Sequence, residues 1–359
     1  MVIHVLDQSF NLIGIVEEYI SVIWRPAYYE IGDFELYMSA TPESVNLLKK
    51  DYYLVRSNDI SVDESGNITY RNVMIIKNIT LTTDAEYGDH LIYTGRELKY
   101  LLHQRIVWKQ TRMNSTVEYG IRRLVDENAI NPTDTRRIIP NLVLGASAGL
   151  TETMDKQVTG SPLDETIVEI CATYGYGWEM YIYNKSLVFI VYAGVDRSYN
   201  QTERPYVVFS DDFDNIINSE YHLQSENYAN TCLIGGEGEG VDRIYTSVGD
   251  DNSGLNRYES FANATGVSQN KGSDSEITLD EYLLLLQETG KEKLALLTVT
   301  ESLIGEVLSD TSFKYNEDFF IGDIVTVINH YGFSQNVRVA SAIESQDETG
   351  IKLIPQFKF

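Results

Sequence analysis

The chain has 359 residues, long enough for two or three domains and a sizeable buried core. Twenty-eight Lys and Arg stand against 53 Asp and Glu, and the resulting formal charge of −25 argues against a surface built to grip DNA or anionic lipid. Hydrophobic residues make up 43 %, too many for a disordered acidic chain, and 25 tyrosines favour sheet and amphipathic interfaces.

The opening MVIHVLDQSF has neither a basic n-region nor an apolar h-region, so no secretory signal is expected. The longest apolar runs, Tyr282 to Leu286 and Leu187 to Ala193, are far too short for a membrane span. Cys171 falls in a helical pattern and Cys232 in a strand pattern. With no Cys-x-x-Cys or His-x-x-x-His spacing near them, both read as small buried hydrophobes.

Residues 1–105 read as a mostly antiparallel β-domain. Val2 to Leu6, Leu12 to Ile15, Ile20 to Trp24 and Phe34 to Met38 are strand-like, the last alternating apolar with polar. Thr41-Pro42 has the form of an N-cap followed by proline at the first helical position, with Val45 and Leu48 expected inward. Tyr52 to Arg56 and Ile68 to Tyr70 are expected to pair as a hairpin across Ser65-Gly66-Asn67, followed by a strand from Val73 to Leu81 and a closing helix at Glu97 to Arg105. Asp63-x-Ser65-x-Asn67 mimics the start of a calcium loop. Ile68 replaces its glycine and Met74 its bidentate glutamate, so a turn is expected there.

Residues 106–205 change character. Val117, Ile121, Leu124 and Val125 form one helical stripe, with Arg122-Arg123 outside it. Ser161-Pro162 opens a second helix whose apolar face is Ile167, Ile170, Cys171 and Tyr174, and Gly175 to Gly177 ends it. Trp178 to Tyr183 and Leu187 to Tyr192 alternate around Asn184-Lys185, a hairpin signal. This pattern predicts an α+β domain inserted between two β-domains.

Residues 206–359 return to strands, beginning with Tyr206 to Phe209, Ser219 to Gln224, Thr231 to Ile234, Arg243 to Val248 and Arg257 to Phe261. The polar stretch Asn263 to Ser275 reads as a surface loop. Thr278-Leu279-Asp280-Glu281 has capping-box spacing and opens a helical insertion around 278–295, with Gly290 as its expected break. Leu297 to Leu308, Ile324 to Asn329, Asn336 to Ile343 and Ile351 to Ile354 close the domain.

Signals for chemistry are weak. The run Gly235-Gly236-Glu237-Gly238-Glu239-Gly240 follows the apolar pair Leu233-Ile234, as a phosphate loop follows a strand. Two carboxylates in the loop, no lysine at Walker spacing and Val241 in place of a fingerprint glycine argue against it, and a bend or crowded crossing is expected instead. Asp211, Asp212 and Asp214 have the chemistry for a hard cation but read as solvated acids, and His222, beside Glu220, reads as a surface histidine like His4, His90, His103 and His330. No Gly-x-Ser-x-Gly elbow and no Ser-x-x-Lys occurs in a convincing context, and with 53 acids any glycosidase pairing can be drawn. No catalytic, cofactor or metal residue is assigned.

Three stretches carry a resemblance. Ile23-Trp24-Arg25 followed by Tyr28-Tyr29-Glu30-Ile31-Gly32-Asp33-Phe34-Glu35-Leu36 is one. Tyr221, Tyr228-Ala229-Asn230 and the Gly-Glu-Gly-Glu-Gly run ending at Arg243 form another, and Gly322-Asp323-Ile324-Val325-Thr326-Val327 with Gly350 to Phe357 the third. Together they resemble the baseplate hub and tail-tip proteins of long-tailed phages from end to end. The resemblance implies a mostly β, α+β fold with two tube-like antiparallel β-barrel domains around the inserted domain. It implies a structural, non-enzymatic virion protein, assembled in the bacterial host cytoplasm and built into the virion tail. The expected assembly is a homotrimer forming a pseudo-six-fold ring through which DNA passes, between a tail tube or distal tail protein and tip or receptor-binding subunits. A tail-associated cell-envelope hydrolase acting through the segment around Asp211 is the alternative from another class, and the hub of a contractile bacteriocin is a variant of the first. Related hubs often carry an appended hydrolase domain; the end at Phe359, directly after the hub-like closing strands, leads to the expectation that none follows.

Overall fold

The computed structural model describes residues 1–83, 88–249, 252–269, 277–307, 313–328 and 334–358. His330 and the end of the polar stretch from Asn263 to Ser275 lie outside them. The fold is mixed α+β with strands dominant, and the strands of the first and last thirds of the chain share one 13-stranded sheet.

Within that sheet, six strands of the first third are Ile3–Leu6, Ser21–Arg25, Asp33–Ser39, Tyr53–Arg56, Met74–Thr82 and His90–Glu97. Six of the last third are Val208–Ser210, Ile216–Gln224, Thr300–Val307, Ile324–Ile328, Ser334–Asp347 and Gly350–Lys358. Numbered one to six along the chain, both sets lie side by side in the order 2-3-6-5-4-1. The likeness extends to a register shift in the hairpin of the fifth and sixth strands, between Ile76 and Asn78 in one set and between Val339 and Ser341 in the other. Two differences remain. The first and fourth strands run antiparallel in the first set and parallel in the second. The helices occupy different slots: Pro42–Leu47 follows the third strand of its set, whereas Leu279–Leu296 precedes the third strand of the other.

The expectation of two separate tube-like barrels is not met in the single chain. Among the described residues no sheet closes on itself, because the two sets are fused edge to edge. Val22, Ile23 and Trp24 pair with Gln346, Ser345 and Glu344, so the second strand of the first set continues the ladder begun by the fifth strand of the second. The open sheet ends at Leu12–Val16 on one side and Ile216–Gln224 on the other.

The middle of the chain packs helices Val117–Val125 and Leu163–Tyr174 against a five-stranded sheet, and its stripe residues Val117, Ile121, Leu124 and Val125 are fully buried. Two strands of that sheet come from the first third. The turn at Asp63 to Asn67 joins Ile60–Val62 to Ile68–Tyr70, rather than Tyr52–Arg56 to Ile68–Tyr70 as expected, because Tyr70 pairs with Ile182 of the middle sheet. Tyr53–Arg56 pairs instead with Ile3–Leu6 and Met74–Thr82. The segment from Leu98 to Gln104 is a tight 3-10 helix, and in the helix Pro42–Leu47 the inward residue is Ser44, with Val45 exposed.

A small three-stranded sheet, Thr231–Gly235 between Tyr245–Gly249 and Glu259–Asn263, carries the helix Leu279–Leu296 on one face. The Thr278 side chain accepts from the Glu281 N–H while Glu281 accepts from the Thr278 N–H, a complete capping box. Gly290 does not break this helix. A Cβ there would stand 2.6 Å from Ile234 and Val248, so glycine lets helix and sheet approach.

Candidate functional site

The residues that tie the three parts together lie between Arg25 and Asp33. Pro26 ends the strand Ser21–Arg25, and Arg25 and Asp33 close the base of the loop through paired hydrogen bonds of 3.0 and 2.5 Å. The loop thrusts Tyr28 into the interior, where it is fully buried. Its N–H donates to the Ala340 carbonyl at 2.8 Å, and its hydroxyl accepts from the Gly194 N–H at 2.8 Å while facing the Gly175 and Tyr192 carbonyls at 3.3 Å. Arg338 stacks over one ring face at 5.2 Å and Tyr192 meets the ring edge-on. Gly322, at φ +96°, closes against the ring, and a Cβ there would be 2.3 Å from it. One tyrosine thus touches the first, middle and last parts of the chain.

Beside it, Lys99 is buried with its Nζ donating to the Ala27 and Glu30 carbonyls at 2.6 and 2.8 Å and paired to Glu97 at 3.1 Å, over the Trp178 ring. Burial raises the Glu97 carboxyl above the ordinary range, opposed by Lys99 and the Gly32 N–H. At the fused edge Arg56 lies over Trp24 at 5.4 Å and pairs with Asp59 and with Glu344 from the far end of the chain. Asp323 accepts from the Val195 N–H, the Arg197 Nε and the Phe320 N–H at 2.9, 2.8 and 3.1 Å. Among the described residues the buried Arg56, Glu97, Lys99 and Asp323 each have an opposite charge beside them, a paired network that joins the three parts of the chain.

Tyr28 offers a graded test. Tyr28→Phe keeps the ring and leaves the Gly194 N–H without its acceptor, and is expected to cost about 1 kcal/mol. A denaturant midpoint unchanged from the parent would refute the role given to the hydroxyl.

The sequence candidates for chemistry fall elsewhere and are not brought together. In the glycine run the Gly236 N–H goes to the Ile244 carbonyl and the Glu237 N–H to the Tyr282 hydroxyl, at 2.8 and 2.7 Å. Arg243 donates to the Gly235 and Gly236 carbonyls at 2.8 and 3.1 Å, so the run presents carbonyl oxygens to a cation, the reverse of a phosphate cradle. Asp212 and Asp214 are exposed, while the loop they occupy is held by Asn215, which bonds Ser210 and Val208. Among the described residues no cluster of three or more His, Cys, Asp or Glu is arranged to hold a metal. His222 sits on the surface 3.3 Å from Glu220. Cys171 and Cys232 are buried and free, and burial pushes the Cys171 thiol up. Sequence reasoning missed one pairing: His103 Nδ1 meets the buried Asp164 at 3.0 Å and its ring stacks on Tyr100. Among the described residues no helix is long and apolar enough to cross a membrane.

The family described as Siphovirus ReqiPepy6 Gp37-like protein matches residues 2–357, which spans the junction and both strand sets. The chain belongs to this siphovirus tail-protein family. Solved tail proteins share the Gp37-like fold along its whole length. A tail protein from Neisseria meningitidis MC58 superposes with a TM-score of 0.58 at 14 % identity, covering 99 % of this chain and 96 % of that one. The 43 kDa tail protein of prophage MuSo2 from Shewanella oneidensis gives 0.58 at 11 % identity, with 99 % and 98 % covered. Prophage tail protein gp18 from Listeria monocytogenes EGD-e gives 0.52 at 12 %, with 99 % and 94 % covered. No curated protein matches the chain.

Proposed function

We propose that this Gp37-like chain is the hub subunit of a phage tail, three copies forming a ring of six similar sheet modules between the tail tube and the tip. The modules lie in residues 1–105 and 206–359, with 106–205 as the inserted α+β domain. The observation that carries the reading is the twice-repeated strand order, 2-3-6-5-4-1, with one module-to-module joint already present inside the chain.

That internal joint is a template for the contact between copies. It pairs a fifth strand beyond its register shift with a second strand. In the first set the same stretch of the fifth strand, from Asn78 to Thr82, is paired on one side only among the described residues, and Ile79 and Leu81 are exposed. In the second set the second strand, Ile216–Gln224, has Thr300–Val307 as its one described ladder partner. Carried through the ladders, Ile76 corresponds to Val339, so Leu81 stands where Glu344 does. Phe34 and Leu303 correspond likewise, and Tyr221 stands where Trp24 does. The joint between copies therefore places Leu81 opposite Tyr221 and Thr82 opposite Glu220. Repeated head to tail it closes a ring in which each of these two stretches gains a partner, and three copies supply the six modules a six-fold tube requires.

A distal tail or tube protein above and tip subunits below are the partners of such a ring, within the virion tail. Its acidic surplus keeps passing DNA from adsorbing. The function is structural, with no enzymatic step. Thr82→Cys combined with Glu220→Cys tests the ring. Cys171 and Cys232 are buried, so oxidation should link the new pair alone and give a covalent trimer on denaturing gels. A trimer by light scattering without the crosslink would refute this joint and leave the ring standing. A monomer at every concentration would overturn the reading itself.

A further inference from the structure

Although the chain carries a charge of −25, residues 105–137 reverse the balance. Arg105, Lys109, Arg112, Arg122, Arg123, Arg136 and Arg137 stand there against Glu118, Asp126, Glu127 and Asp134. Several of these cations are matched: Arg112 by Asp155, Arg123 by Glu127 and Arg136 by Asp134. Arg105, Lys109 and Arg137 are not, since none has a carboxylate within 4.0 Å among the described residues. The two guanidiniums are locked beside each other by backbone carbonyls. Arg105 Nε donates to the Arg137 carbonyl at 2.5 Å and Arg137 Nη2 to the Ile106 carbonyl at 2.7 Å. Lys109 reaches the Thr133 hydroxyl at 3.1 Å. Burial and the neighbouring Arg137 charge both lower the Arg105 pKa, as expected of two cations held side by side.

Apolar surface accompanies the charge. Trp108 is 64 % exposed and flanked by the exposed Ile106 and Ile138, while Arg137 stacks on the indole at 4.9 Å. Behind them opens a cavity of about 500 Å³ lined by Trp108, Lys109, Asn128, Thr133 and Arg137 among others. An exposed tryptophan beside arginines already held in place has the composition of a protein-binding hot spot, and little side-chain freedom is left to lose on binding.

We propose that this face docks a short acidic peptide segment of a partner chain, its carboxylates meeting Arg105, Lys109 and Arg137 and an apolar side chain covering Trp108. Charge decides the occupant. Screening leaves the patch its own field over roughly 8 Å at physiological salt, enough for a few carboxylates. A duplex extends beyond that range, into the repulsion of an otherwise acidic protein and of Glu127 and Asp134 at the cavity itself. The proposal needs a neighbouring chain, as any tail component has, and does not depend on the ring.

The test is fluorescence anisotropy of the full chain with a short labelled peptide of glutamates interrupted by leucines, beside the same peptide with lysines and a DNA duplex. The acidic peptide alone should bind, and more weakly as salt is raised. Lys109→Glu and Trp108→Ala, both at exposed positions where folding is retained, should each weaken it about tenfold, which is about 1.4 kcal/mol. Absence of acidic-peptide binding, equal affinity in both variants, or tighter binding of the duplex would each overturn the proposal. So would loss of self-association in either variant, which would assign the face to a second copy.

Discussion

Lys99→Met is expected to destabilise the chain by about 3–5 kcal/mol, because it strands a buried carboxylate. Glu97 loses its cation but stays surrounded by the first and middle parts of the chain, and the Ala27 and Glu30 carbonyls lose their donor in the same step. Methionine preserves most of the packing against Trp178, so the loss is electrostatic rather than steric. The second variant tells the two apart. Lys99→Met with Glu97→Gln removes the unpaired charge, keeps an acceptor for the Gly32 N–H, and should regain most of the lost stability. Denaturant melts of the single and double variants measure it. A double variant no more stable than the single one would show that the pair does not act as described.

Acidification should tighten the hold of the helix Leu279–Leu296 on the middle of the chain. Lys156 is shared between Glu169, at 3.1 Å, and the buried Glu292, while Glu288 bonds the Tyr174 hydroxyl and is approached by Lys291 at 3.4 Å. Burial, with repulsion from Glu169 and Glu288, pushes the Glu292 carboxyl up to about 7 against the pull of Lys156. A carboxyl raised in the folded state binds its proton more tightly there than in the unfolded chain. Its stabilising contribution is therefore fully present below the ordinary 4.5 and is lost as pH rises through about 7. The span corresponds to roughly 3 kcal/mol. Hydrogen exchange in the helix should accordingly be slower at pH 5 than at pH 8, after correction for intrinsic rates. Glu292→Gln should flatten the difference, and a parent protein equally protected at both pH values would refute the account.

Much of the local structure was legible because its causes are local. The capping box at Thr278 and Glu281, the proline after Thr41 and the Asn184-Lys185 turn each depend on residues within one turn of the chain. The last adopts the positive φ values, 45° and 64°, that a two-residue hairpin demands. The glycine run was readable only by elimination. Its charge argued against a phosphate, but Tyr282 and Arg243, which consume its backbone groups, are brought there by folding. Gly290 was misread because nothing within the helix shows that Ile234 and Val248 press against it.

Composition, alternation and capping in the sequence by itself determined that this would be an acidic, strand-rich chain with helices near 117, 163 and 279. Only the tertiary structure decided which strands are neighbours. The pairing of Trp24 with Glu344, and of Tyr70 with Ile182, joins segments far apart in the chain. An alternating strand states which face it buries but carries no address for its partner. The partner is selected by the burial and charge matching of the whole sheet, and here that selection fuses the two strand sets through one joint.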